Sequence, residues 1–589
     1  MSISNPLEKI GIFLDEGKIL EASESFSRLG YLKNDSWQYK FQLGRFFEAT
    51  GQFEKASKRY KEAVRFAPEF IPARLAYARL QTKLGNFDDA MRAYSAIINR
   101  SDSTSIAWRE LCRLHGKLRN FQEAYECILK LINLNEDAAL ELSEYIIGSM
   151  HICDWRNRGQ ALQNLEFLIE TGAKCFVDPF ALLASFDNPT LHFKMAKCIA
   201  PNISISDQFF NDTQSHQINE PKERRLKIGY LCGDFNEHPM SILMAGILER
   251  HDCKRFEITI FDYSDDDRSS IRQRIMRASE HFCLIKSLGP YESAQLIASK
   301  DIDILIDLKG YTKKTRSEIL AFRPAPLQVN FLGYVGTLGA DWVDYVIADK
   351  HVLPLSEQVN WVEKIIHMPD CYYPNDRSRP IPSAPTAEGR SAHGLPETGF
   401  VFVCFNNNYK ITPELFGVWM QILTDIPDSV LWLYEGNQFV KANLRSEAKK
   451  NQINEERLIF APHAPFSEHI DRYAYGDLFL DTTPYGAHTT ACDALWAGLP
   501  VITLMGSSFA SRVGASLLSN VGLTELVCYS AEEYRELAVK LARNPALLNN
   551  IKHTLRDTRM TSSLFDAAEF TKNFENLLEN MMLTLGQNK

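Results

Sequence analysis

The sequence contains no run of about 18 consecutive apolar residues, so no transmembrane helix is expected. It has no C-x-x-C pair. Its 12 cysteines are scattered, and they read as reduced cytosolic thiols rather than a disulfide frame or a zinc site. The opening residues, MSISNPLEKIGIFLDEGK, lack a basic segment leading into a long apolar core, so no secretory signal is expected and a cytoplasmic location is. Positive charge is not in excess: the net charge is −9 and the pI about 5.9. That argues against general nucleic-acid binding, which needs a basic footprint. A local positive site for a phosphorylated small molecule stays open. Walker loop, G-x-G-x-x-G fingerprint and serine nucleophile elbow are all missing.

What is present is ordinary globular composition, 45% hydrophobic and 24% charged over 589 residues. That length suits about three to four domains. The front of the chain repeats. GKILEASESF starts at Gly17, GQFEKASKRY at Gly51, GNFDDAMRAY at Gly85 and RNFQEAYECI at Arg119, each 34 residues after the last. Ala22, Ala56, Ala90 and Ala124 recur in register, as do the large residues Phe26, Tyr60, Tyr94 and Ile128. This is the tetratricopeptide pattern of paired helices, assigned to residues 1–135. Its concave surface is expected to receive a protein or peptide; the plainer reading is a scaffold that spaces or dimerises domains.

Residues 136–225 read as a helical connector and linker. In it Leu162, Leu165, Phe167 and Leu168 have helical apolar spacing, and the polar stretch 204–225 reads as linker. From Leu226 short apolar strands alternate with helices, which predicts a doubly wound parallel sheet over 226–380. After a Pro- and Ser-rich stretch the alternation restarts, giving a second α/β half over 390–570. An amphipathic C-terminal helix and tail (571–589) end the chain. Ligands of such sheets bind beyond the C-terminal ends of the strands, so two facing halves predict a cleft.

Several strand-end loops carry candidate chemistry. In LFLDTTPYGAHTTACDALWAG, Thr489 and Thr490 fall at a predicted helix start. The first N–H groups there lack intrahelical partners, and a phosphate would take them together with the hydroxyls. Asp493 reads as a capping-box acid or a ribose ligand, and plain capping explains the threonines equally well. In CFNNNYKITPELF, Lys410 is placed to neutralise a leaving diphosphate; its plainer reading is a surface lysine. His463 and His469 follow another strand. In the first half, GDFNEHP sets Asp234 and His238 beyond the first strand, with His238 a candidate base or acceptor-orienting group. LKGYT (308–312), RPAPLQ (323–328) and LGYVGTLG (332–339) read as a polar, Gly-rich lip to the same cleft. SDDD (264–267) reads as a solvated turn rather than a metal site.

Taken in order, LKIGYLCGDFNEHP, DIDILIDLKGYT, RPAPLQVNFLGYVGTLGADWVDYVIAD, FNNNYKITPELFGVWMQIL, SVLWL and DTTPYGAHTTACDALWAGLPVITLMGSSFASRVGASLL resemble the O-GlcNAc transferase and Spindly family, and more closely its bacterial tetratricopeptide-containing members. The resemblance runs from about residue 150 to 570. It implies a tetratricopeptide solenoid followed by a GT-B fold of two Rossmann-like halves. It also implies inverting, metal-independent sugar transfer from a nucleotide sugar to protein Ser or Thr, with no cofactor. By the family's motifs Lys410 would hold the diphosphate with Asn407 nearby. His488, Thr489 and Thr490 would bind the diphosphate region, Asp493 the ribose, and His469 would line the nucleotide pocket. His238 would face the acceptor. UDP-GlcNAc is the expected donor. GDP-fucose and UDP-glucose share the diphosphate, so these motifs do not separate them. A non-catalytic tetratricopeptide adaptor and a carbohydrate-polymer enzyme of the same fold are the other readings. The chain departs from the family at Gly486, at Ser507-Ser508 and at Tyr434-Glu435.

Overall fold

The computed structural model describes residues 6–29, 36–100, 105–134, 138–171, 178–203 and 224–587. These form two compact units, Met1–Tyr145 and Ile146–Lys589. Most of the polar stretch expected to be a linker, residues 204–223, lies outside the described residues.

In the first unit the 34-residue period becomes helix pairs: Ile19–Leu29 after Pro6–Asp15, Phe53–Phe66 after Trp37–Ala49, Phe87–Ile98 after Ile71–Leu84, and Phe121–Asn133 after Ser105–Lys117. The turn residue of each pair is left-handed: Gly17, Gly51 and Gly85 have φ of 70°, 74° and 81°. Arg119 takes the same conformation at φ 64°, where a side chain is disfavoured. Ala22, Ala56, Ala90 and Ala124 are all buried, so small size at that register permits helix crossing. Tyr60, Tyr94 and Ile128 are buried as well, whereas Phe26 is only half-buried. Gly44 shows how tight the packing is: a Cβ there would stand 2.6 Å from the Tyr60 ring.

The second unit starts inside the helix Ala139–His151 and continues through the connector helices Arg158–Glu170, Pro179–Ser185 and Pro189–Ile203. The expected apolar face needs correction. Ala161, Leu165 and Ile169 are buried, but Phe167 is 65% exposed. Two parallel sheets follow. The first holds β1 (Leu226–Cys232), β2 (Phe256–Asp262), β3 (His281–Leu284), β4 (Ile304–Asp307), β5 (Leu327–Phe331), β6 (Tyr345–Ala348) and β7 (Lys364–His367). Their order is β3-β2-β1-β4-β5-β6-β7. The second holds β8 (Phe400–Cys404), β9 (Ser429–Tyr434), β10 (Leu458–Ala461), β11 (Leu478–Leu480), β12 (Val501–Leu504) and β13 (Val527–Cys528), in the order β10-β9-β8-β11-β12-β13.

All pairs are parallel, and in both sheets the strand order reverses beside the first strand, between β1 and β4 and between β8 and β11. That is the switch point at which doubly wound sheets bind ligands. Strands such as Val401–Cys404 and Ile304–Asp307 are buried throughout, as expected where helices cover both faces. The C-terminal helix Ala567–Gln587 returns to the first half. There Glu575 accepts from the Asp252 N–H at 2.8 Å, and Phe574 packs on Phe331 with ring centroids 5.0 Å apart.

Candidate functional site

The loops after β8 and β11 leave adjacent parallel strands at the second sheet's switch point and converge. After β8 the chain makes a short 3-10 turn, Asn408–Lys410, before Thr412 caps the helix Pro413–Asp425. This turn carries Lys410 inward. Its Nζ donates to the Gly486 carbonyl at 2.7 Å and lies 4.2 Å from the Tyr485 ring centroid. Burial pushes the Lys410 ammonium below the ordinary lysine range, and the Asp481 carboxylate pulls back the other way.

Asp481, at the end of β11, organises the second loop. Its carboxylate accepts from the Thr482 N–H at 2.7 Å, the Ala487 N–H at 2.6 Å and the Thr503 hydroxyl at 2.7 Å. Burial raises its pKa all the same. The loop so closed delivers the helix Thr489–Ala497, whose N-cap, His488, makes no side-chain capping bond. Thr490 donates to Asn406 Oδ1, and Asn406 Nδ2 donates to the Thr482 hydroxyl at 2.7 Å. Thr489 shares a hydrogen bond of 2.8 Å with the Tyr373 hydroxyl. His488 lies on Tyr485, ring centroids 4.9 Å apart. Burial first, then Lys410, holds its pKa well below the ordinary histidine value. Its Nε2 is buried without a hydrogen-bond partner among the described residues.

Asp493 does not reach back to cap its helix. It pairs with the buried Arg379 and faces His469 Nε2 at 3.6 Å. Arg472 donates to His469 Nδ1 at 2.5 Å, which leaves the neutral ring's proton on Nε2, toward Asp493. Asn407 is exposed at the mouth of the 3-10 turn, whereas its neighbour Asn406 is buried in the cluster; the sequence reading singled out only Asn407. His463 is exposed in the loop after β10.

In the first half, the loop after β1 is fastened at several points. Lys309 Nζ donates to Asp234 at 2.5 Å, Ser241 donates to the Asp234 carbonyl at 2.9 Å, and the buried Arg272 donates to the Phe235 carbonyl at 2.7 Å. Asp267 accepts the Glu237 N–H at 2.6 Å, so SDDD includes a fastener for this loop. Asp265 pairs with Lys286 and Lys314, and Asp266 with Arg272. His238 caps the helix Pro239–Leu248 through Nδ1, which accepts from Met240 N at 3.2 Å. Asp234 Oδ2 is 4.0 Å away, and burial lowers the His238 pKa. With Nδ1 engaged as acceptor, the neutral ring presents Nε2–H outward. The expected Gly-rich lip is largely core: Lys309, Tyr311, Tyr334, Val335 and Leu338 are buried. A Cβ at Gly333 would sit 2.0 Å from the Leu308 carbonyl oxygen, so that glycine permits close backbone packing.

A cavity of about 370 Å³ joins the halves, bordered by His238 and Ile242 on one side, Arg379 and Pro380 on a connecting strap, and Phe466 on the other. The strap, residues 373–380, fell partly in the Pro- and Ser-rich stretch read only as a break between halves. It runs along the Thr489–Ala497 helix. Tyr373 meets Thr489, Asn375 Nδ2 donates to Cys492 Sγ at 3.3 Å, Arg379 meets Asp493, and Trp496 Nε1 donates to the Pro380 carbonyl at 2.8 Å. The signal that was available is the pair of tyrosines and the arginines inside YYPNDRSRP. The Ser507-Ser508 departure lies where Asp187 docks through backbone bonds that do not depend on the side chains there. Asp187 accepts both backbone N–H groups at 2.7 Å and the Ser511 hydroxyl at 2.8 Å, filling the start of the helix Phe509–Asn520.

A family model described as glycosyl transferase family 41 matches residues 195–387 and 377–574, and a tetratricopeptide repeat model matches 47–114. A probable UDP-N-acetylglucosamine–peptide N-acetylglucosaminyltransferase SEC of Arabidopsis thaliana is 36% identical over 438 residues, covering 72% of this chain and 45% of that protein. A probable enzyme of the same description, SPINDLY of Petunia hybrida, is 32% identical over 385 residues, 64% of this chain and 40% of that one. The UDP-N-acetylglucosamine–peptide N-acetylglucosaminyltransferase of Caenorhabditis elegans is 28% identical over 472 residues, 61% and 41%. The chain thus spans less than half the length of these relatives. Among solved structures, a mutant of Thermobaculum terrenum O-GlcNAc transferase matches with a TM-score of 0.68 at 23% identity, over 94% of this chain and 98% of that one. The fold is therefore a tetratricopeptide helical region followed by two Rossmann-like halves in GT-B arrangement. The family match spans both halves and every strand-end loop described above, and the chain belongs to glycosyl transferase family 41.

Proposed function

We propose that this chain transfers a sugar, GlcNAc from UDP-GlcNAc, to Ser or Thr of protein acceptors, with inversion and without a metal. The observation that carries this reading is the convergence of buried Lys410 with the Thr489/Thr490 helix start. Negative charge grows on the leaving diphosphate in the transition state. A buried ammonium and a helix N-terminus fixed in advance stabilise it far more than water would. Lys410 is the electrostatic catalyst in this reading, and Asn407, His488, Thr489 and Thr490 surround the diphosphate. Asp493 and His469 hold the nucleoside.

His238 takes the acceptor side. Its outward Nε2–H orients the hydroxyl, or its Nδ1 accepts a proton once the Met240 bond yields. The tetratricopeptide repeats supply the surface for the acceptor polypeptide, and the reaction belongs to the cytoplasm. The printed descriptions of the curated relatives, peptide N-acetylglucosaminyltransferases, support a protein acceptor.

The test is sugar transfer by the purified chain to a protein lysate, with UDP-GlcNAc, UDP-glucose and GDP-fucose as donors, each run with and without EDTA. GlcNAc transfer that Lys410→Ala abolishes supports the reading. Transfer from another donor reassigns the sugar, and transfer that EDTA removes overturns metal independence. No transfer to proteins and no donor hydrolysis favours a non-catalytic adaptor.

A further inference from the structure

Arg379 is 6% exposed and comes from the strap that leaves the first half, yet its partners include a residue of the second. Its Nη1 bonds Asp493 Oδ1, its Nη2 donates to Asn375 Oδ1 at 2.6 Å, and its guanidinium lies 6.0 Å from the Phe466 ring centroid. Asn375 is itself tied to Cys492, next to Asp493 on the same helix. The strap is anchored behind: Asp376 accepts from Arg274 at 3.2 Å, and Trp496 holds the Pro380 carbonyl. An arginine so built into its surroundings has one free consequence, the setting of the carboxylate in front of it. Asp493 Oδ1 is committed to Arg379, and Oδ2 is left facing His469 Nε2 at 3.6 Å, with lone pairs to spare. Arg379 also lines the cavity between the halves.

We infer that Arg379 is a positioning residue for the nucleoside of the donor: it fixes the Asp493 carboxylate so that one oxygen meets the ribose hydroxyls, and it ties that orientation to the strap between the two halves. This deepens the proposed function and rests on its nucleotide-sugar reading. The chemistry recognised is a vicinal diol, shared by every ribonucleoside diphosphate. A carboxylate accepting from a hydroxyl contributes only if it is aimed. A guanidinium fork aims it, and a lysine, a point charge on a flexible stem, does so poorly.

The experiment measures the dissociation constants of UDP and GDP, and of the 2′,3′-dideoxy analogue of whichever binds more tightly, by calorimetry. The native chain is expected to prefer the ribonucleotide at least about tenfold, the scale of one hydrogen bond to a charged group. In Arg379→Met that preference is expected to fall below about threefold while the dideoxy analogue binds as before, which shows that the site is folded. Arg379→Lys is expected to recover only part of the preference. In an Asp493→Asn background, adding Arg379→Met is expected to change the preference no further.

Equal weakening of both ligands by Arg379→Met, or an unchanged preference, overturns the inference while leaving the proposed function standing. Should Arg379→Met fail to fold, the Arg379→Lys and Asp493→Asn chains carry the same ratio test, and an undiminished preference in both overturns the inference. Native protein that binds neither nucleotide overturns the parent reading, and this inference with it.

Discussion

Tyr373 and Thr489, 116 positions apart, share a hydrogen bond of 2.8 Å between their hydroxyls. One belongs to the strap leaving the first half and the other opens the helix at which the donor diphosphate is proposed to sit. The bond therefore sets the rotamer of that threonine from outside its own half. Tyr373→Phe keeps the ring and removes only that bond. The expected effect is a loss of about 0.5–1.5 kcal/mol in nucleotide affinity, roughly two- to tenfold in the dissociation constant. Titration of both proteins with UDP checks it. An unchanged constant would mean that Thr489 keeps its rotamer unaided.

Asn406 and Asn407 offer a contrast between neighbours. Asn406 is buried and links Thr490 to Thr482; Asn407 is exposed. Asn406→Ala is expected to destabilise the fold by about 1–3 kcal/mol, because two hydroxyls lose a buried partner, and to weaken UDP binding as well. Asn407→Ala is expected to leave stability within about 0.5 kcal/mol. Urea unfolding of both variants, monitored by tryptophan fluorescence, decides. Equal stability losses would contradict the placement of Asn406 as the linking residue.

Most of the architecture was legible from residue pattern. The 34-residue register reports helix pairs because glycine and alanine there answer to backbone geometry and helix crossing. The alternation from Leu226 onward reports two parallel sheets because buried strands read as continuous apolar runs. Short edge strands were harder. His281–Leu284 is only four residues long and half exposed, too short to show a period that sets it apart from the helix Ser270–Ala278 before it. The candidate site was legible where a strand-end loop holds its own chemistry, as at Lys410 and Thr489. It was illegible where function depends on long-range partners. Nothing local in YYPNDRSRP says that Arg379 meets Asp493, 114 positions on, because such pairings are set by tertiary packing. The lip misreading has the same root: Lys309 and Tyr311 look polar in sequence but satisfy Asp234 and the Leu338 carbonyl inside the core.

Arg119 provides a test that is independent of chemistry. It sits at φ 64° where the three preceding repeats use glycine. A left-handed conformation costs a residue with a Cβ about 1–2 kcal/mol, and part of the gain from removing it is offset by the greater freedom of glycine in the unfolded chain. Arg119→Gly is therefore expected to stabilise the repeat unit by about 0.5–1 kcal/mol. Thermal and denaturant unfolding of the repeat-containing protein measure this. Destabilisation would show that the Arg119 side chain makes contacts worth more than the strain.

Lys410 should make nucleotide binding depend on pH in a calculable direction. In the free protein burial holds its ammonium below the ordinary lysine pKa of about 10.4. A bound diphosphate brings negative charge and raises that pKa again. Below the free value the lysine is already protonated, so affinity is flat with respect to this group. Between the free and bound values, binding must take up one proton. There the dissociation constant is expected to rise with pH by up to tenfold per unit. Calorimetry in two buffers of different ionisation heat should show uptake approaching one proton on the alkaline side and none near neutrality. Lys410→Arg stays charged across the whole range, so its binding, even if weaker from altered geometry, is expected to lose this alkaline dependence. An alkaline rise that persists in the arginine variant would assign the proton to another group and remove Lys410 from the diphosphate.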